Sequence, residues 1–156
     1  MRRAVLALAA LFLAAGPALA QQKMGWYSIE TDQGGALIHG VPDSEDAVIF
    51  FVCERGADSV TAQSVIGSKD LEAGAQATLG LTSGKVKKSL TGKVVASETV
   101  ERLDVEAPLK LADMRALLKG KGPLTVTVQG ATQKVALTGI APALATFEGY
   151  CKQAKN

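Results

Sequence analysis

Histidine is almost missing from this 156-residue chain, which has one, and cysteine is scarce, with two. A lone imidazole leaves a zinc-type site short of ligands, and no C-x-x-C pair is present to act as a dithiol redox motif. No serine sits in a G-x-S-x-G elbow, and the D-x-[DN]-x-[DN]-G calcium loop is absent. The sixteen glycines are scattered through turns rather than grouped into a phosphate-binding loop. These absences leave no catalytic constellation, no metal site and no cofactor motif. Long apolar runs are missing too: residues 4–15 form a run of twelve, well short of the roughly 20 a membrane-spanning helix needs.

That short run has a different reading. Arg2 and Arg3 precede it, Gly16 and Pro17 break it, and Ala18-Leu19-Ala20 supplies a small-x-small cleavage site. This is the three-part layout of a secretory signal peptide, with cleavage expected between Ala20 and Gln21. Residues 21–156 would then be a single periplasmic or secreted domain without a transmembrane segment. No cysteine sits just after the run, which excludes lipid attachment there. Arg2 and Arg3 also account for the whole formal charge of +2, since without them fifteen basic side chains balance fifteen acidic ones. A nucleic-acid binder carries a basic excess to pair with phosphates, and this chain has none.

The remaining charge is unevenly spread. Residues 21–80 hold nine acidic and three basic groups, whereas 81–97 hold Lys85, Lys87, Lys88 and Lys93 with no acid. These lysines are either a solvated hairpin rim or a dock for an anionic surface or envelope protein. Cys53 and Cys151 form an even pair in an exported chain, which favours a disulfide.

Periodicity gives mostly strands. Residues 26–31 and 36–41 flank Asp32-Gln33-Gly34-Gly35, read as a hairpin turn because glycine tolerates positive φ. Residues 47–53 are apolar at nearly every position, so this strand needs cover on both faces and is expected at the centre of the fold. Ile49, Phe51 and Cys53 share one face; Val48, Phe50 and Val52 share the other. Further strands are expected at 59–66, 76–82, 86–96 and 99–106, the last ended by Pro108. Leu111, Met114, Leu117 and Leu118 recur at helical spacing over 111–119, with Gly120 as a left-handed cap. A hairpin of 124–128 and 133–137 follows. A final helix over 141–153 carries Leu144, Phe147 and Cys151 on one stripe.

Few residues stand out for chemistry. His39 reads as a strand residue, or as the base of a small periplasmic hydrolase. Asp43, Glu45 and Asp46 read as a solvated turn. Trp26 and Tyr27 are adjacent and so face opposite ways on a strand; the exposed one is a candidate partner contact.

The early Trp26, the strand ending in Cys53, Leu137-Thr138-Gly139-Ile140, and the helix bearing Ala143, Leu144, Phe147 and Cys151 carry a resemblance. The chain resembles small exported bacterial proteins of the invasion-associated locus B kind and the VasI-like accessory proteins of type VI secretion. That resemblance implies a periplasmic β-sandwich with a disulfide and brings no catalytic residues. The expected fold is mainly β, a single antiparallel β-sandwich or bent-sheet domain with one short helix and a C-terminal helix. The expected function is a non-enzymatic periplasmic binding or accessory protein acting through a surface. The alternatives are the His39 hydrolase and a secreted virulence or envelope-stress interaction factor.

Overall fold

A computed structural model describes residues 23–97 and 102–153. The expected signal peptide falls outside them, as do the first residues of the strand expected at 99–106. Within them, nine antiparallel strands form one sheet. They are β1 (Gly25–Glu30), β2 (Gly34–Gly40), β3 (Ala47–Glu54), β4 (Ser59–Ser64), β5 (Gln76–Ser83), β6 (Val86–Ala96), β7 (Leu103–Lys110), β8 (Leu124–Val128) and β9 (Ala131–Val135). Helix α1 (Leu111–Leu118) links β7 to β8, and α2 (Ile140–Lys152) closes the chain. The strand order is β1-β2-β3-β4-β7-β6-β5-β8-β9. The meander β5-β6-β7 is thus flanked by β8 beside β5 and β4 beside β7, a Greek-key connection at each side.

Of the two expected sheet forms, the bent one is found: the sheet curls into a half-barrel. Its edges approach closely enough for the Trp26 indole Nε1 on β1 to donate 2.7 Å to the Ala136 carbonyl just beyond β9. Alternate residues point inward and form one core. Leu37, Ile49, Phe51, Val60, Leu79, Val105, Leu124 and Val126 all belong to it. Both helices lie on this inner side. Met114, Leu117 and Leu118 of α1 are buried in the core, as are Leu144 and Phe147 of α2. The helical stripes read from sequence are the ones buried, because each is the only apolar face its helix has to offer.

Local contacts depart from the sequence reading in several places. Gly34 and Gly35 lie inside β2 rather than in the turn, and neither has positive φ. Their role is close approach: a Cβ on Gly34 would strike the Cys53 carbonyl, and one on Gly35 would come within 2.8 Å of Tyr150 Cβ on α2. Gly120 does not take the left-handed conformation either; it lies against Ser83, where a side chain would collide. Strand β3 is third in the order, not central, and β7 is the middle strand. β7 also runs through Pro108 to Lys110. Pairing with β6 stops at Glu106, so Pro108 is laddered only to Thr61 of β4, and proline is tolerated at such edge-like positions.

Candidate functional site

The second face of β3 leads to the site. Val48 is buried, but Phe50 and Val52 are only half-buried on the outer face of the sheet. They form the apolar floor of an outer-face cavity of about 650 Å³ that also takes in Val95, Thr61, Gln63, Asp104 and Glu106. Ladder register lines up one transverse row across four strands: Phe50, Gln63, Glu106 and Lys93. The alternation that sends Phe51 and Val105 inward therefore sends Phe50 and Glu106 to the cavity.

Asp104 is the best-held side chain there, only 1% exposed. Its carboxylate accepts from Arg102 Nε at 3.0 Å and from Gln63 Nε2 at 2.7 Å. Arg102 also donates from Nη1 to the Glu45 carbonyl at 2.9 Å, which ties the β2–β3 turn to the start of β7. A buried carboxylate is tolerable only with such partners. Among the charged side chains of the lining, Arg102 answers Asp104, while Glu106 has Lys93 beside it in register just outside the cavity.

The residues singled out from sequence are distributed as follows. Cys53 and Cys151 are joined, stapling β3 to α2 across 98 residues of sequence. Trp26 and Tyr27 face opposite sides of β1. Trp26 packs inward in an edge contact with His39, ring centroids 5.1 Å apart. Tyr27 is half-buried outside, and burial, then the nearby Asp43 charge, raise its phenol above the usual value. The four lysines do not form one cluster. Lys88 points inward and pairs with Asp113 of α1 at 2.7 Å. Lys93 sits beside Glu106, and Lys87 lies six residues away on the same outer face. Lys85 is in the β5–β6 turn.

His39 is 9% exposed, and burial lowers its imidazole pKa from the usual value. Its Nδ1 is buried with no hydrogen-bond partner. A Ser-His-acid relay needs an acid on that nitrogen to orient the ring, and His39 has none. Among the described residues no group of three or more His, Cys, Asp or Glu is placed to hold a metal, and no helix is long and apolar enough to cross a membrane.

Sequence reading missed Gln63, Arg102 and Asp104 as site residues. The available signal was the fully apolar β3, whose second face had to meet something, together with a lone acid between Leu103 and Val105. Comparison with protein-family models, curated proteins and solved structures gives no match to this chain.

Proposed function

We propose that this chain is an exported, non-enzymatic binding or accessory protein, and that its ligand seats in the outer-face cavity. The observation that carries this reading is the cavity's lining: an apolar floor of Phe50, Val52 and Val95 beside a polar wall in which Arg102 neutralises Asp104. Its volume falls within the range of about 300–1,000 Å³ typical of small-molecule sites. Such a lining suits a compact neutral or zwitterionic amphiphile, with its apolar part on the floor and its polar groups on Gln63 and Thr61. Export to the periplasm is supported by the N-terminal layout and by the Cys53–Cys151 bond, since disulfides persist in oxidising compartments. The resemblance to invasion-associated locus B and VasI-like proteins supports an accessory role in the envelope.

Amide NMR titration with N-acetylphenylalanine amide and with octyl glucoside tests the reading. Shifts from at least one probe should cluster at Phe50, Val52, Gln63 and Asp104 and vanish when Val52→Trp fills the floor. Shifts scattered over the surface, or none from either probe, would remove the cavity as a binding site.

A further inference from the structure

We propose that the lysine-bearing corner of the half-barrel docks this protein on an anionic bilayer surface, independently of the outer-face cavity. Residues 73–97 and 114–147 contain no Asp or Glu. The fold gathers the strands these segments contain, because β6, β5, β8 and β9 are the last four strands of the sheet. On their outer face the register builds one row: Lys87 beside Thr82, Thr82 beside Thr125, and Thr125 beside Lys134. Ladder spacing makes this row roughly 14 Å across. At the same end, the β5–β6 turn abuts the loop after α1. A Cβ on Gly84 would lie 3.1 Å from the Lys121 carbonyl oxygen, so Lys85 and Lys121 flank the row.

Lys85, Lys87, Lys121 and Lys134 are all exposed. The ion pairs of the described residues use Arg55, Lys88, Arg102 and Arg115 instead, leaving these four uncompensated. Between and beyond them the outer face offers hydroxyls, with Ser89 beside Gly80, Gly80 beside Thr127 and Thr127 beside Thr132. The exposed large hydrophobic residues, Met24 and Ile29, belong to the β1 edge and not to this row.

This chemistry fits a diffuse negative surface better than a shaped protein partner. Lysine is a hydrated point charge without the planar fork that arginine uses to grip one carboxylate, and Arg115, the arginine of these segments, is tied to Glu148. Clusters of four to eight basic residues are enough to hold a protein at anionic lipid headgroups, and the hydroxyls can donate to their phosphates. The row of Lys87, Thr82, Thr125 and Lys134 carries no apolar wedge, so it adsorbs rather than inserts.

The test is co-sedimentation of the chain from Gln21 onward, which contains every described residue, with two kinds of vesicle. One contains about one-third phosphatidylglycerol, and the other is pure phosphatidylcholine. The protein should pellet with the first at low salt, stay free of the second, and be released at about 0.5 M salt. Each lysine contributes roughly fivefold to partitioning. The double variants Lys85→Gln with Lys121→Gln and Lys87→Gln with Lys134→Gln should therefore each lose roughly 30-fold at unchanged Tm. Val52→Trp, which blocks the cavity, should bind vesicles as the parent does, so failure of one reading is separable from failure of the other. Absence of binding at low salt, or binding unaffected in both double variants, overturns the proposal. So does a salt-sensitive dimer that these variants abolish while vesicles are ignored, because the partner would then be the acidic β2–β3 turn of a second copy.

Discussion

A single imidazole sets an acid limit on this fold. His39 is buried against Trp26, and its folded-state pKa lies below that of the unfolded chain. Below the usual value of 6.5, the unfolded state therefore binds the proton more readily, and stability is lost as pH falls through that window. Above it, the stabilisation from keeping the ring neutral is fully present. Urea midpoints at about pH 7.5 and 5.5 should fall for the parent and change less for His39→Leu; an identical acid-side loss in both would exclude His39 as its source. Asp104 is the second residue of consequence. Asp104→Ala leaves the Arg102 and Gln63 donors without their acceptor, and a loss of about 2–3 kcal/mol in urea unfolding is expected. Alternation alone foretold that Trp26 and Tyr27 would part company. It could not place Asp104 in a hydrogen-bonded pocket, because Gln63 comes from a strand 41 residues away.

Helix α2 and strand β3 act as one element through the Cys53–Cys151 bond. Opening a closed loop of about 100 residues costs about 4–5 kcal/mol by chain entropy, so Cys53→Ala with Cys151→Ala should lower stability by about that amount in denaturant titration. Phe147→Ala, which empties a fully buried position on the same helix, should cost about 3–5 kcal/mol. Lys88→Gln is the contrast. Its pair with Asp113 is about one-third exposed on each side, and less than about 1 kcal/mol is expected in the same assay. The helices were legible because Leu144, Phe147 and Cys151 declare a stripe within a dozen residues. The length of β7 was not, since Pro108 is permitted only by the local absence of β6. The work of Gly34 and Gly35 was equally hidden. It depends on Cys53 and Tyr150, partners that no local pattern names.

At the scale of the molecule, the sheet order turns an uneven sequence into an uneven body. Strands β1 to β4 carry the acidic half of the chain, and β6, β5, β8 and β9 the acid-free half, with β7 between them. That order rests on β4 pairing with β7 and β5 with β8, long-range choices that hairpin reading does not reach. Closure of the curl is testable through Trp26→Phe, which deletes the indole donor to Ala136. About 1 kcal/mol should be lost, with faster amide exchange confined to β1 and β9; unchanged exchange there would show that the edges hold without it. The same closure bears on the order in which the chain can mature. Trp26 waits for Ala136, Cys53 for Cys151, and the Arg55 guanidinium for Gln153 at 3.3 Å. A chain threaded across a membrane N-terminus first would hold β1 unsealed and one thiol unmatched until its last helix arrived. Its maturation would be set by the tail, not by the segments that emerge early.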